Sequence, residues 1–286
     1  MIKEVGGAAG WLAEELADSA VWRFSLSDDD RAGLLAGSTD LPALAALSRE
    51  VFTGRGFALL QGVPVDSSSD VDDLAIRIAG CVGVLVPPVV HVRDQGVDGS
   101  VSTRKSYQHS GSLGYHSDPT DVVALLCVRS AMSGGLSSVV SSVAVHDEVV
   151  RSRPELAAVL YEAWWRDRRS GDDADSFYQS PVYTVEDGKW AANYGPDYIR
   201  SAQRGAHVPA LRPDQLAAMA ELDRLNADPR FALTMDLQPG DMQFLNNHLT
   251  MHSRTEYQDH PDPARRRDLI RVWLDAPDLT GPPAVG

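Results

Sequence analysis

The chain has 286 residues, of which 43% are hydrophobic and 23% charged, the balance of a globular protein long enough to bury a full core. A formal net charge of −14 excludes general nucleic-acid binding, which needs a positive field to meet phosphates. The longest apolar run, Val122 to Val128, is far shorter than the roughly 20 residues of a membrane span, and acidic residues stand where a secretory signal carries a basic region. A cytoplasmic protein is therefore expected. Cys81 and Cys127 sit in apolar patterns typical of buried thiols, so neither a disulfide framework nor a thiol-based zinc site is expected.

Helical patterns come first along the chain. Trp11 to Ala17 is one, and Ser27 then caps a second, opened by aspartates that suit a helix N-terminus. Leu41 to Phe52 is a third, followed by a short strand in Gly56 to Val65 that Pro64 ends. From Ser69, Val71, Leu74, Ile78 and Cys81 share one helical face. Between Val84 and Ser112 the composition turns to Pro, Gly, Ser and polar residues, which predicts a long loop of the kind that covers a binding site. Its Arg104, Lys105, Tyr107 and His109 are read as solvated loop residues rather than ligands.

Strand signals dominate downstream. Val122 to Val128 predicts a strand buried on both faces, Ser137 to Val145 is β-branched, and "YTVEDGKWAANY" predicts a hairpin turning at Asp187-Gly188. Helices over Pro154 to Trp165 and Pro213 to Leu225 each start at a proline. Strict alternation at Phe231, Leu233, Met235 and Leu237 leads to a "PGD" turn, then "MQFLNN" and "RDLIRVWL". The expectation is a single domain over 1–286, mainly β with flanking helices. Residues 1–83 are mostly helical, 84–112 form an active-site loop, and 113–276 make an antiparallel sandwich or barrel with helical insertions.

The chemistry concentrates in "GYHSDPTD". Residues two apart on a strand point to the same face, so His116 and Asp118 present an imidazole and a carboxylate to one point in space. That is two thirds of a facial triad, which holds Fe(II) on one side and leaves positions open for co-substrate and oxygen. The third ligand is a distant histidine, and His248 and His252 in "FLNNHLTMHSRTEYQD" are both candidates. A lone His-x-Asp is usually incidental. In "ARRRDLIRVWLDAP", however, Arg267, Leu269, Arg271 and Trp273 share a face, which turns two guanidiniums inward, and buried arginines need anions.

These motifs resemble the Fe(II)/2-oxoglutarate dioxygenases of the taurine dioxygenase (TauD/TfdA) and clavaminate synthase group. The likeness runs through "HSDPTDVVALLCVRSAMSGGLSS", "PGDMQFLNNHLTMHSRTEYQD" and "RRRDLIRVWL", and more weakly through "GFALLQGVPV", from about Gly56 to Ala276. It implies a double-stranded β-helix, or jelly roll, with His116, Asp118 and His252 as the catalytic metal ligands, since His252 stands before "SRT" as the family's distal histidine does. It also implies 2-oxoglutarate as co-substrate beside O2. Arg267 and Ser137 of "SGGLSS" would bind its far carboxylate, with Ser138 as the alternative hydroxyl, and Arg271 would hold an anionic group of the substrate. With a shifted register the two arginines exchange roles.

The implied reaction oxidises an unactivated C–H bond of a small, anionic or amino-acid-like molecule, releasing succinate and CO2. Asp118 favours hydroxylation over chlorination, because halogenating relatives carry a small residue there. Desaturation or ring closure would use the same residues. The rival readings are a zinc-dependent hydrolase, since two His and an Asp also suit Zn²⁺, and a non-catalytic jelly-roll binding protein. A small-molecule substrate, no nucleic-acid or membrane partner, and a homo-oligomer complete the expectations.

Overall fold

A computed structural model of the chain describes residues 2–17, 19–66, 70–96, 109–169, 174–277 and 279. Two sheets form its centre. The larger is built from β1 (Arg23–Ser25), β2 (Phe57–Gln61), β3 (Val84–Val92), β5 (Val122–Arg129), β13 (Met242–Asn246) and β16 (Asp268–Asp275), in the order β1-β2-β13-β5-β16-β3. The smaller, in the order β12-β7-β14-β4, uses β4 (Leu113–His116), β7 (Ser137–Ser141), β12 (Leu233–Met235) and β14 (Thr250–Arg254). Every pairing in them is antiparallel except β1 with β2. This is the double-stranded β-helix that the motifs imply.

Alternation along the strands builds three apolar layers. On β5, Val122, Ala124, Leu126 and Val128 face outward, against α1 (Asp28–Leu35), α2 (Pro42–Thr53) and α3 (Val71–Ala79), where Leu34, Leu44, Leu47 and Ile78 are buried. The same strand turns Val123, Leu125 and Cys127 inward, between the sheets, toward Trp22, Phe57, Val139 and Leu269. A third cluster lies outside the smaller sheet, where α4 (Ser142–Ser152), α5 (Pro154–Leu160) and α7 (Pro213–Asn226) pack with Val140 and Met251. Each large side chain so buried contributes about 1.5–3 kcal/mol. Short pairs complete the fold: β8 (Trp164–Asp167) with β9 (Phe177–Ser180), β10 (Tyr183–Glu186) with β11 (Lys189–Ala192), and β6 (Ser133–Gly134) with β15 (Tyr257–Gln258). The helix α6 (Pro196–Ala202) follows β11.

Several expectations change. The stretch read as a loop from Val84 is a strand to Val92, paired along β16, because its valines have an apolar neighbour despite the intervening prolines. The strand read from Ser137 to Val145 ends at Ser141, whose hydroxyl accepts the Ala144 amide and starts α4, overriding the β-branched preference. The helix from Pro154 stops at Leu160, and Trp164 begins β8. The hairpin turns at Asp187 and Gly188 as expected, with φ of 50° and 74°, the left-handed pair of a tight turn.

Candidate metal and co-substrate site

His116 ends β4, and His252 lies in the middle of β14 directly opposite it in the antiparallel register. Their rings lie 4.3 Å apart, tilted by 43°. Asp118 follows two residues after His116, with its carboxylate 3.9 Å from His116 Nε2 and 4.0 Å from His252 Nε2. One ligand atom from each of the three falls within 4.8 Å of the others, and among the described residues this is the group able to hold a metal ion. His248 is not part of it. It sits in the turn between β13 and β14 and bonds through Nε2 to the Asp121 carboxylate at 2.8 Å.

The surroundings orient these ligands. The Gly114 carbonyl lies 2.9 Å from Nδ1 of His116, which turns Nε2 toward the other two. The Asp118 amide donates to Asn247 Oδ1, and the Trp273 indole N–H donates to its carboxylate at 3.1 Å. Between the ligands, Ser117 and Tyr194 exchange two hydrogen bonds, of 2.8 and 3.0 Å, tying the segment before α6 to this turn. Burial and then the nearby His116 push the His252 pKa down to about 3, which keeps its imidazole neutral and able to donate a lone pair. For Asp118, burial works to raise the pKa, but His252, His116, Arg271 and the indole N–H outweigh it and hold the carboxyl below its usual range. Two imidazoles and one ionised carboxylate, converging on one side, suit Fe(II).

A cavity runs inward from this group between the two sheets, lined by His116, Asp118, Ser137, His252, Arg254, Arg267 and Arg271. Arg267 is 5% exposed, its guanidinium lies 4.9 Å from the Tyr257 ring, and its Nη1 has no hydrogen-bond partner. A buried cation with an orphaned donor calls for an anionic guest, and the far carboxylate of 2-oxoglutarate fits that demand. Gly135 lets the chain pass close by: its φ is +72°, and a Cβ there would stand 3.3 Å from Arg267 Nε. Ser137 lines the same cavity and donates to Gln243 at 3.0 Å, whereas Ser138 points the other way, to Tyr115 and Thr234. Arg271 lines the cavity too, stacked 4.2 Å over Trp273.

Sequence reasoning missed Trp273, Asn247, Gln243 and Arg254 as parts of this site. Trp273 and Arg254 were within reach, since each lies two residues from an inward-facing candidate on its own strand. Arg254 also lies 4.9 Å from the Tyr257 ring and donates to the carbonyls of His109 and Gly111. Asn247 and Gln243 carry no local signal. Arg104, Lys105 and Tyr107 lie outside the described residues.

Residues 32–273 match the family model described as "Taurine catabolism dioxygenase TauD, TfdA family". The chain belongs to this family. It is an iron- and 2-oxoglutarate-dependent dioxygenase in class, which displaces the zinc hydrolase and binding-protein readings. The "FR-33289 synthase" of Streptomyces rubellomurinus is 25% identical across 96% of this chain and 91% of its own. A "Uridine-5'-phosphate dioxygenase" of an Amycolatopsis species is 31% identical, over 54% of this chain and 55% of its own. Among solved structures, an asparagine oxygenase crystallised with Fe(II), 3-hydroxyasparagine and succinate covers 89% of this chain and 94% of its own, with a TM-score of 0.64 and 18% identity. The non-heme iron oxygenase OrfP, with Fe and α-ketoglutaric acid, gives a TM-score of 0.64 at 15% identity, covering 89% of this chain and 94% of its own. Both share this fold. No helix among the described residues is long and apolar enough to cross a membrane.

Proposed function

We propose that this dioxygenase hydroxylates an unactivated C–H bond of a small anionic or amino-acid-like molecule at a centre held by His116, Asp118 and His252. The observation that carries this reading is their convergence on a cavity also lined by the buried Arg267, whose Nη1 has no hydrogen-bond partner. Names of relatives fit it: the asparagine oxygenase was crystallised with a hydroxylated amino acid, and another relative is named for uridine 5′-phosphate.

The residues divide the work. His116, Asp118 and His252 would hold the ion, and as three protein ligands they would leave it able to bind small molecules. When bound, the iron and 2-oxoglutarate supply the oxidising power, with O2 as oxidant and succinate and CO2 as products. Arg267 and Ser137, which line the cavity, would anchor the far carboxylate of 2-oxoglutarate and so fix its position. Arg271, on the wall near the ligands, meets the substrate's anionic group and so presents one C–H bond to the centre. The indole of Trp273 links these tasks, holding Asp118 with its N–H while its ring carries Arg271. Water is kept out by Val92, Leu125 and Leu269 along the cavity.

Anaerobic titration with Fe(II) and then 2-oxoglutarate tests this, because chelation by the 2-oxo acid gives a weak charge-transfer band in the visible. The band is expected in the native protein and in His248→Ala, and absent from His252→Ala. A band that survives loss of His252 removes the assignment.

A further inference from the structure

Arg254 stands two residues after the metal ligand His252 on β14, so both side chains project from one face of the strand, into the space between the sheets. In the antiparallel register it lies opposite Ser137 of β7, as His252 lies opposite Val139. Residues paired in this way also share a face. Arg254, Ser137 and His252 accordingly line one cavity, together with Arg267 from the larger sheet. The guanidiniums of Arg254 and Arg267 each lie 4.9 Å from the ring of Tyr257, so both cations meet at one phenol.

The bonds made by Arg254 leave its charge unanswered. Its Nη2 donates to two neutral carbonyls, of His109 at 2.9 Å and of Gly111, and so ties down the segment that leads into β4. The residue is 7% exposed, yet its Nε has no hydrogen-bond partner, the same condition as Nη1 of Arg267. Asp259 relieves neither donor, since its Oδ1 accepts the backbone amide of Arg267 at 2.6 Å. Burial first, and then the neighbouring Arg267, push the Arg254 guanidinium down to about 10. Two buried cations side by side, each with an orphaned donor, are held at a cost that an anion between them removes.

We infer that Arg254 is a second anchor for the far carboxylate of 2-oxoglutarate, which then sits between guanidiniums from both sheets, Arg254 from the smaller and Arg267 from the larger, beside the Ser137 hydroxyl. A carboxylate has two oxygens, each able to accept charge-assisted hydrogen bonds, so it serves two guanidiniums at once. The consequence is selectivity: a 2-oxo acid without a far carboxylate leaves both donors unpartnered. Because Arg254 also holds the segment before β4, one side chain links the co-substrate to the strand that carries His116. The inference rests on the proposed function, since it takes 2-oxoglutarate as the occupant of this cavity, and it adds Arg254 as a residue that sets co-substrate choice.

Anaerobic titration of the full chain loaded with Fe(II), read by the charge-transfer band, tests it with two probes: 2-oxoglutarate, and 2-oxobutanoate, which shares the chelating end and lacks the far carboxylate. In Arg254→Gln, 2-oxoglutarate is expected to bind about tenfold more weakly, the loss of a hydrogen bond to a charged group, while 2-oxobutanoate and Fe(II) bind as in the native protein. Equal weakening of both acids would overturn the anchor and leave Arg254 only a tie for the segment before β4. Native affinity for 2-oxoglutarate would overturn it as well. A second variant keeps that tie intact. In Arg267→Leu, where Arg254 remains, 2-oxoglutarate should still bind about threefold or more tightly than 2-oxobutanoate, and equal binding of the two acids would defeat the proposal. The native protein separates the inference from the reading beneath it. A native band with a failed Arg254 comparison defeats the anchor alone, whereas no band in the native protein defeats the proposed centre.

Discussion

Along β16, Ile270, Val272 and Leu274 turn outward into the helical layer, while Leu269, Arg271, Trp273 and, just before the strand, Arg267 turn inward between the sheets. The outward residues are completely buried and touch other apolar groups, so that face is stabilised by area removed from water. On the inward face a guanidinium is buried with an unpartnered donor, an arrangement that costs stability until an anion arrives. One strand therefore carries a stabilising face and a binding face, separated by the two-residue alternation of its side chains. Substitutions on the two faces should separate folding from function.

The largest effect is expected at the ion itself. Asp118→Ala should abolish the charge-transfer band and turnover together, and a variant that still forms the band would show that the carboxylate is dispensable. At the far end of the cavity, Arg267→Leu should weaken 2-oxoglutarate by about 2–5 kcal/mol, about 30-fold or more, the usual loss when one partner of a buried charge pair is removed. Because the apo cavity buries that cation without an anion, the same variant should unfold in denaturant no earlier than the native protein. A clear drop in its midpoint would mean that Arg267 is structural.

The outward face should behave in the opposite way. Ile270→Ala should cost about 2–5 kcal/mol of stability by denaturant unfolding, the range for emptying a core site, with the 2-oxoglutarate affinity of the folded fraction unchanged. Smaller and more specific is Trp273→Phe, which removes the N–H on Asp118 but keeps a ring under Arg271; Fe(II) affinity should fall about 10- to 100-fold. Native affinity there would leave the indole a packing role only.

The smallest expected effect concerns acid stability. Hydrogen bonds from Arg204, Ser201 and the Arg169 amide outweigh burial and hold the Asp167 carboxyl down to about 2. A carboxylate whose pKa is depressed on folding adds stability above its unfolded value, near pH 4, and loses that contribution as pH falls toward 2. Asp167→Asn should therefore be less stable at neutral pH and show a shallower acid limb. An unchanged limb would remove Asp167 as the anchor of the Arg169 turn.

Much of the site was legible because its chemistry is local or periodic. His116 and Asp118 share a strand face through their spacing alone, and the alternation in "RRRDLIRVWL" already turned Arg267 and Arg271 the same way. The resemblance chose His252 over His248, and the fold supplies the reason: His252 pairs opposite His116, while His248 is spent on Asp121 in the turn. Other features depend on groups far apart in the chain. Val84–Val92 is a strand because β16 offers it a partner, and Ser141 ends β7 because its hydroxyl caps α4. The Trp273 bond to Asp118 and the aim of Arg169 at Tyr198 join residues that no local pattern connects. Composition and periodicity determined which faces are apolar and which side chains can act. Only the packing of the two sheets and the β8 to α6 segment decided which of them meet, because burial and charge balance are settled between distant segments.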